Sequence, residues 1–225
     1  MNIHFAGGWA FTKETCEPLL RVLAERHRVF FHAFDDKLDS INVSPTDGWL
    51  AGWSLGGLKM LDEVIRGKLK PRGLILINST SRFCSDADYP CGVSPAALRT
   101  MMIGIKRQRV NTLSRFYADA MSPQSTEADV TNRLSASNDI DESRLLDGLQ
   151  QLSVLDLRAS IAAVAVPVLL LHGEKDHIIP ADASRYLQSQ LVTSEIHTHP
   201  DAGHELPLQF PQWTSDHIDR FISKK

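Results

Sequence analysis

The sequence predicts an α/β domain built on a mostly parallel, doubly wound sheet that is interrupted by a helical insertion. Short apolar runs alternate with amphipathic helical stretches, as in chains that lay helices over a parallel sheet. One run, Leu74-Ile75-Leu76-Ile77, is continuously apolar, as expected of a strand buried on both faces. After it the β pattern stops, and residues 79–155 show helical periodicity only.

Residues 1–5 read as a first strand ending in Ala6-Gly7-Gly8-Trp9-Ala10, and a helix follows from Lys13 to about Arg26. Residues 28–34 form a second strand, followed by a polar, acidic stretch from Asp35 to Asp47. The third strand is 49–53, and its helix runs to about Gly67, a residue suited to stop it. Residues 74–77 make the fourth strand. The insertion carries helical segments near 94–105, 109–121, 127–135 and 142–152, and so forms a cap rather than another sheet layer. Val164–Gly173 restarts the sheet, and a helix over 181–191, a strand over 194–199 and a helix from about Gln209 to Ile222 complete it. The expected division is a core of residues 1–78 and 156–225 with a cap of 79–155.

With 225 residues, 43% of them hydrophobic and 23% charged, the chain has the composition of one globular core. A net charge of -3 gives no general attraction to nucleic acid or to an anionic membrane. No apolar run approaches the ~18 residues that suggest a membrane span. The odd set Cys16, Cys84 and Cys91 has no metal-ligand spacing, and no leader-like segment opens the chain, so a reduced cytoplasmic setting is expected. His197 and His199 share a strand face, but no third ligand is spaced to join them, and neither a metal nor another cofactor is expected.

Chemistry concentrates where strands end. Gly52-Trp53-Ser54-Leu55-Gly56-Gly57 places Gly-x-Ser-x-Gly between an apolar run and an amphipathic helix, the pattern of a turn that lifts a nucleophilic serine above a sheet. Residues two before and two after the serine must lack bulk there, and Gly52 and Gly56 do. The N–H of Leu55, at the helix start, suits an oxyanion donor. The glycine pair before Trp9 suggests a second donor, the Trp9 N–H, although a simple tight turn also accounts for it. Asp176 follows the strand ending at Gly173, where a turn or helix-capping aspartate is the plain alternative. His204 follows the last strand. Ser54, Asp176 and His204 in that order, each just beyond a strand, match the nucleophile, acid and base of an α/β-hydrolase.

The elbow, Gly8-Trp9, Leu155-Asp156-Leu157-Arg158 before Val166-Pro167-Val168, and Gly203-His204 together resemble the pimeloyl-acyl-carrier-protein methyl ester esterases of biotin biosynthesis. The similarity runs from about Phe5 to the C-terminus, including Arg82-Phe83-Cys84 and Tyr89-Pro90 in the cap. It implies a serine carboxylesterase acting through Ser54, Asp176 and His204, with oxyanion donors at Trp9 and Leu55. Trp53 would line the acyl channel, and Phe116 with Arg115 would supply an aromatic and basic pair on the cap. The implied partners are an ester substrate and an acyl carrier protein, the enzyme itself being a monomer. The chain departs from the family where the strands that usually open the fold are reduced, and at other basic cap positions, although Arg107, Arg109 and Arg133 lie nearby. Two other readings stay open: a broad short-chain esterase or thioesterase without a carrier, and a catalytically silent binding scaffold.

Overall fold

The computed structural model describes residues 1–39, 41–43 and 45–225; Ser40 and Ser44, within the polar stretch after the second strand, lie outside the described residues. Strands β1 (Asn2–Ala6), β2 (Arg28–His32), β3 (Gly48–Trp53), β4 (Gly73–Ile77), β5 (Val168–Gly173) and β6 (Ser194–His199) form one six-stranded sheet in the order β2-β1-β3-β4-β5-β6. Every neighbouring pair is parallel, with Phe5 opposite Ala51, Leu50 opposite Leu74, and Leu76 opposite Leu170. The centre of the sheet is made of its most apolar segments, and Trp49–Ala51, Leu74–Ile77 and Val168–Leu171 are fully buried. Covered on both faces, these strands have no reason to alternate apolar with polar residues.

Helix α1 (Lys13–Ala24) returns the chain from β1 to β2, and α2 (Leu55–Ile65) carries it from β3 to β4 in the opposite sense. Right-handed crossovers in opposite senses put those helices on opposite faces, so the winding reverses between β1 and β3. The loops that leave those two strands therefore flank a crevice at the C-terminal edge of the sheet. Helix α6 (Asp182–Gln190) joins β5 to β6, and the chain closes with a short α7 (Leu206–Gln209) and α8 (Pro211–Ser223), which packs on α1. Helix α8 is the closing helix expected from about Gln209 to Ile222, α7 is an additional short turn before it, and a 3-10 turn at Arg158–Ala163 precedes β5.

Between β4 and β5 lie α3 (Pro95–Met121), α4 (Glu127–Ala136) and α5 (Glu142–Val154). Ser94 and Thr126 cap α3 and α4, their hydroxyls accepting from the N–H groups of Ala96 and Asp129. The two segments expected at the start of the insertion are the limbs of α3, which breaks at Gln108 (φ −150°, ψ 51°). A straight helix would hold Gly104 and Thr112 roughly 12 Å apart. Here a Cβ on Gly104 would lie 2.4 Å from Thr112 Oγ1, so the limbs fold back on each other. Among the described residues no helix is long and apolar enough to cross a membrane.

Candidate active site

Ser54 sits between β3 and α2 with φ 55° and ψ −122°, a conformation a non-glycine residue adopts only when its surroundings enforce it. They do so by contact. A Cβ on Gly52 would lie 2.4 Å from Gly57 Cα, and one on Gly56 would lie 2.3 Å from the Ala6 carbonyl oxygen. The Ser54 N–H donates to the Ile77 carbonyl (2.9 Å), and the Ser79 hydroxyl donates to the Ser54 carbonyl (2.8 Å). Leu55 opens α2, so its N–H belongs to the turn that a helix leaves without internal acceptors. From the other side of the crevice the Gly7-Gly8-Trp9 loop closes in, a Cβ on Gly8 falling 3.4 Å from Ser54 Cβ. That loop is tied to the insertion by Tyr117, whose hydroxyl donates to the carbonyl of Ala10 (2.7 Å), itself at φ 64°.

Asp176 follows β5 and His204 follows β6, and the structure brings both to Ser54. His204 Nδ1–H donates to Asp176 Oδ2 (2.8 Å), which leaves Nε2 to accept from the Ser54 hydroxyl (2.9 Å). The Asp176 carboxylate is fully satisfied: Oδ1 accepts from the N–H groups of Ile178 (2.8 Å) and Ile179 (2.9 Å), and Oδ2 also accepts from Asn78 Nδ2 (2.6 Å). A second buried histidine, His172, points Nε2 at both the Ile179 carbonyl (2.8 Å) and Asp176 Oδ2 (3.3 Å). Burial alone would raise the Asp176 carboxyl, but the neighbouring His204 and the hydrogen bonds from His172 and His204 hold it well below the usual carboxylate range. The ion is thereby kept ready to orient the imidazole and to balance its cation.

Asn78 and His172 were not singled out in the sequence. Asn78 stands directly beyond β4, on the same edge as the other three, so its position was a usable signal. His172 lies inside a strand and gave none.

Over Ser54 lies a cavity of about 200 Å³, walled by apolar side chains from the first loop and the insertion, among them Trp9, Phe83, Leu98, Phe116, Leu149 and Leu152. Trp9 is held there by its indole N–H, which donates to the Leu145 carbonyl (2.8 Å), and by an edge-on contact with Phe116. Past Met101, Phe116, Asp119 and Ile178 this cavity adjoins an outer one of about 570 Å³ that Arg107 and Arg115 line. Phe116 thus stands in the inner wall, whereas Arg115 stands only in the outer one.

Trp53 occupies a different place from the acyl channel expected for it. It is fully buried, its N–H donates to the His204 carbonyl (2.9 Å), and its ring packs on Phe11. A side chain on β3 just before the elbow is directed into the sheet's packing, so Trp53 backs the histidine loop instead of lining the cavity. The other basic residues of the insertion are largely engaged internally: Arg109 donates to the carbonyls of Ser137, Asn138 and Ile140, and Arg82 pairs with Asp86 and Asp156. His197 hydrogen-bonds Glu195 (2.6 Å), and His199 packs at a tilt against Phe210. Among the described residues no three His, Cys, Asp or Glu side chains are grouped to hold a metal ion.

A parallel sheet, a serine on a strained elbow, and a histidine and carboxylate in register with it define a hydrolase of the α/β type, and residues 7–217 match the alpha/beta hydrolase family, to which the chain belongs. It is similar to pimeloyl-(acyl-carrier protein) methyl ester esterases: 30% identical to that of Nitrosomonas europaea over 91% of this chain and 89% of the relative, and 26% identical to that of Xanthomonas axonopodis pv. citri over 96% and 92%. The fold is shared with a bromoperoxidase from Bacillus anthracis (TM-score 0.88, 15% identity, 99% of this chain and 91% of that one). It is shared equally with an esterase from Exiguobacterium antarcticum (TM-score 0.85, 17% identity, 99% and 92%).

Proposed function

We propose that this chain is a serine carboxylesterase that hydrolyses the methyl ester of a pimeloyl group carried on acyl carrier protein, with residues 79–155 as its cap. The observation that carries the proposal is the unbroken hydrogen-bond chain from Ser54 Oγ through His204 to Asp176 on the floor of an apolar cavity. The names of the similar proteins supply the acyl group and its carrier.

Ser54 Oγ attacks the ester carbonyl as His204 Nε2 takes its proton, and Asp176 steadies the imidazolium. The tetrahedral oxyanion forms within reach of the Trp9 and Leu55 N–H groups. Collapse breaks the bond to methoxide, which leaves as methanol with the proton from His204. A water then gives a proton to His204 and its oxygen to the acyl carbon, and the bond to Ser54 Oγ breaks as His204 returns that proton to it, leaving the free carboxylic acid and the resting serine. The inner cavity takes an apolar acyl chain. Arg107 and Arg115 at the outer cavity complement an acidic carrier by charge.

The test is methanol release from methyl pimeloyl carrier protein against free short esters at equal concentration, for the wild type and Ser54→Ala. Hydrolysis of the carrier-bound ester by the wild type alone is expected, with a rate that falls as salt is raised. Cleavage of the short esters without the carrier-bound one overturns the substrate, and inactivity toward both overturns the enzyme.

A further inference from the structure

Glu205, the residue after His204, is fully buried with its carboxylate held in a two-point ion pair by Arg133 of α4, Nε to Oε1 at 3.1 Å and Nη2 to Oε2 at 2.8 Å. The pair joins the histidine loop to the insertion across 72 residues of sequence. Arg133 is partly exposed, but Glu205 is taken fully out of water, and desolvating its charge cancels much of the pair's attraction, so the pair is a poor source of stability. Replacing such a pair by apolar residues is often neutral for stability, so what the charges add is geometry.

The surroundings show what that geometry controls. The Glu205 N–H donates to the Ala120 carbonyl (3.0 Å), the Gln209 amide to the Met121 carbonyl (2.8 Å), and Gln124 back to the Asp201 carbonyl (2.8 Å). Hydrogen bonds on either side of His204 thus stitch the histidine loop and α7 to the end of α3 and the residues just after it. From the sheet side, Trp53 holds the His204 carbonyl and Asn78 the Gly203 carbonyl (3.1 Å). The Arg133–Glu205 pair is the only charged anchor that the described residues provide between this loop and α4. Its planar fork fixes Glu205 in two directions, where a single hydrogen bond would let it pivot.

We propose that Arg133 and Glu205 are positioning residues, which clamp the insertion to the histidine loop and set His204 Nε2 on the Ser54 hydroxyl. The proposal rests on the hydrolase reading above. Docking or displacement at α4 is then felt at the catalytic base, through two side chains that touch no substrate.

The test compares the wild type with Arg133→Met, Arg133→Lys and the double variant Arg133→Met/Glu205→Gln, using a small soluble ester and fluorophosphonate labelling of Ser54, alongside urea unfolding. The expected result for Arg133→Met is a kcat about ten- to hundredfold lower with KM within about twofold, since misplacing a reacting group by an ångström has effects of this size. Labelling slows by the same factor, and Arg133→Lys recovers part of it. The double variant, which removes the unpaired carboxylate, regains stability but keeps the low kcat. Wild-type kcat in the double variant, or a loss that follows only the unfolded fraction, overturns the proposal. A wild type that neither cleaves esters nor labels overturns the hydrolase reading instead.

Discussion

Replacing Trp53 by Phe separates the place the structure gives this side chain from the channel wall that the family resemblance implies. The indole N–H donates to the His204 carbonyl at 2.9 Å, and both groups are buried, so Phe leaves that oxygen without its partner. An unsatisfied buried polar group costs about 1–3 kcal/mol. Loss of the second ring beside Phe11 adds roughly 1 kcal/mol of cavity. The sum, about 2–4 kcal/mol, is a large share of a typical total stability of about 5–15 kcal/mol, but the variant still folds. At roughly 2–4 °C per kcal/mol for a chain of this size, Tm falls by about 5–15 °C. With the loop behind His204 loosened, kcat toward a short ester falls about tenfold while KM and the preference among acyl lengths stay as they were. Scanning calorimetry and steady-state kinetics over a series of acyl esters read all three quantities. A shift in chain-length preference at unchanged kcat would refute the reasoning and return Trp53 to the channel.

Asn78→Ala removes a charge-assisted hydrogen bond to the buried Asp176 carboxylate and should cost about 1.5–3 kcal/mol at neutral pH by urea unfolding. Because the folded Asp176 lies below its unfolded value of about 3.9, its contribution is present above that pH and is lost as pH falls through the folded value. The variant raises the folded value, so its acid-unfolding midpoint should move to higher pH; an unchanged acid limb counts against this account. Gly56→Ala forces a Cβ to 2.3 Å from the Ala6 carbonyl oxygen and is expected to lose about 3 kcal/mol or more together with labelling of Ser54, which native expression and active-site titration would reveal. Leu149→Trp fills part of the inner cavity, so KM for longer acyl esters should rise about tenfold while acetyl esters react as before, a split that kinetics on the two substrates would show or deny.

What the sequence determined by itself was whatever rests on neighbours in the chain. Continuous apolar runs at 74–77 and 168–171 are taken out of water on both faces as central strands; β4 starts one residue before the expected 74–77, whereas β5 starts at Val168, four residues after the Val164 expected, and ends at Gly173 as expected. The elbow is equally local, since the glycines that let the chain cross itself stand two residues on either side of Ser54. Parallel strands carry their loops to one edge, and so three chemically apt residues, each just past a strand, come to the same crevice. Tertiary structure alone decided which polar side chains support them. Asn78 reaches Asp176 across 98 residues, Trp53 reaches His204 across 151, Tyr117 reaches Ala10 across 107, and Arg133 reaches Glu205 across 72. In sequence none of these residues names its partner, because a hydrogen bond or ion pair leaves no periodicity behind. Its partner is chosen by how the insertion folds back over the sheet, and that packing is not encoded in any single stretch of the chain.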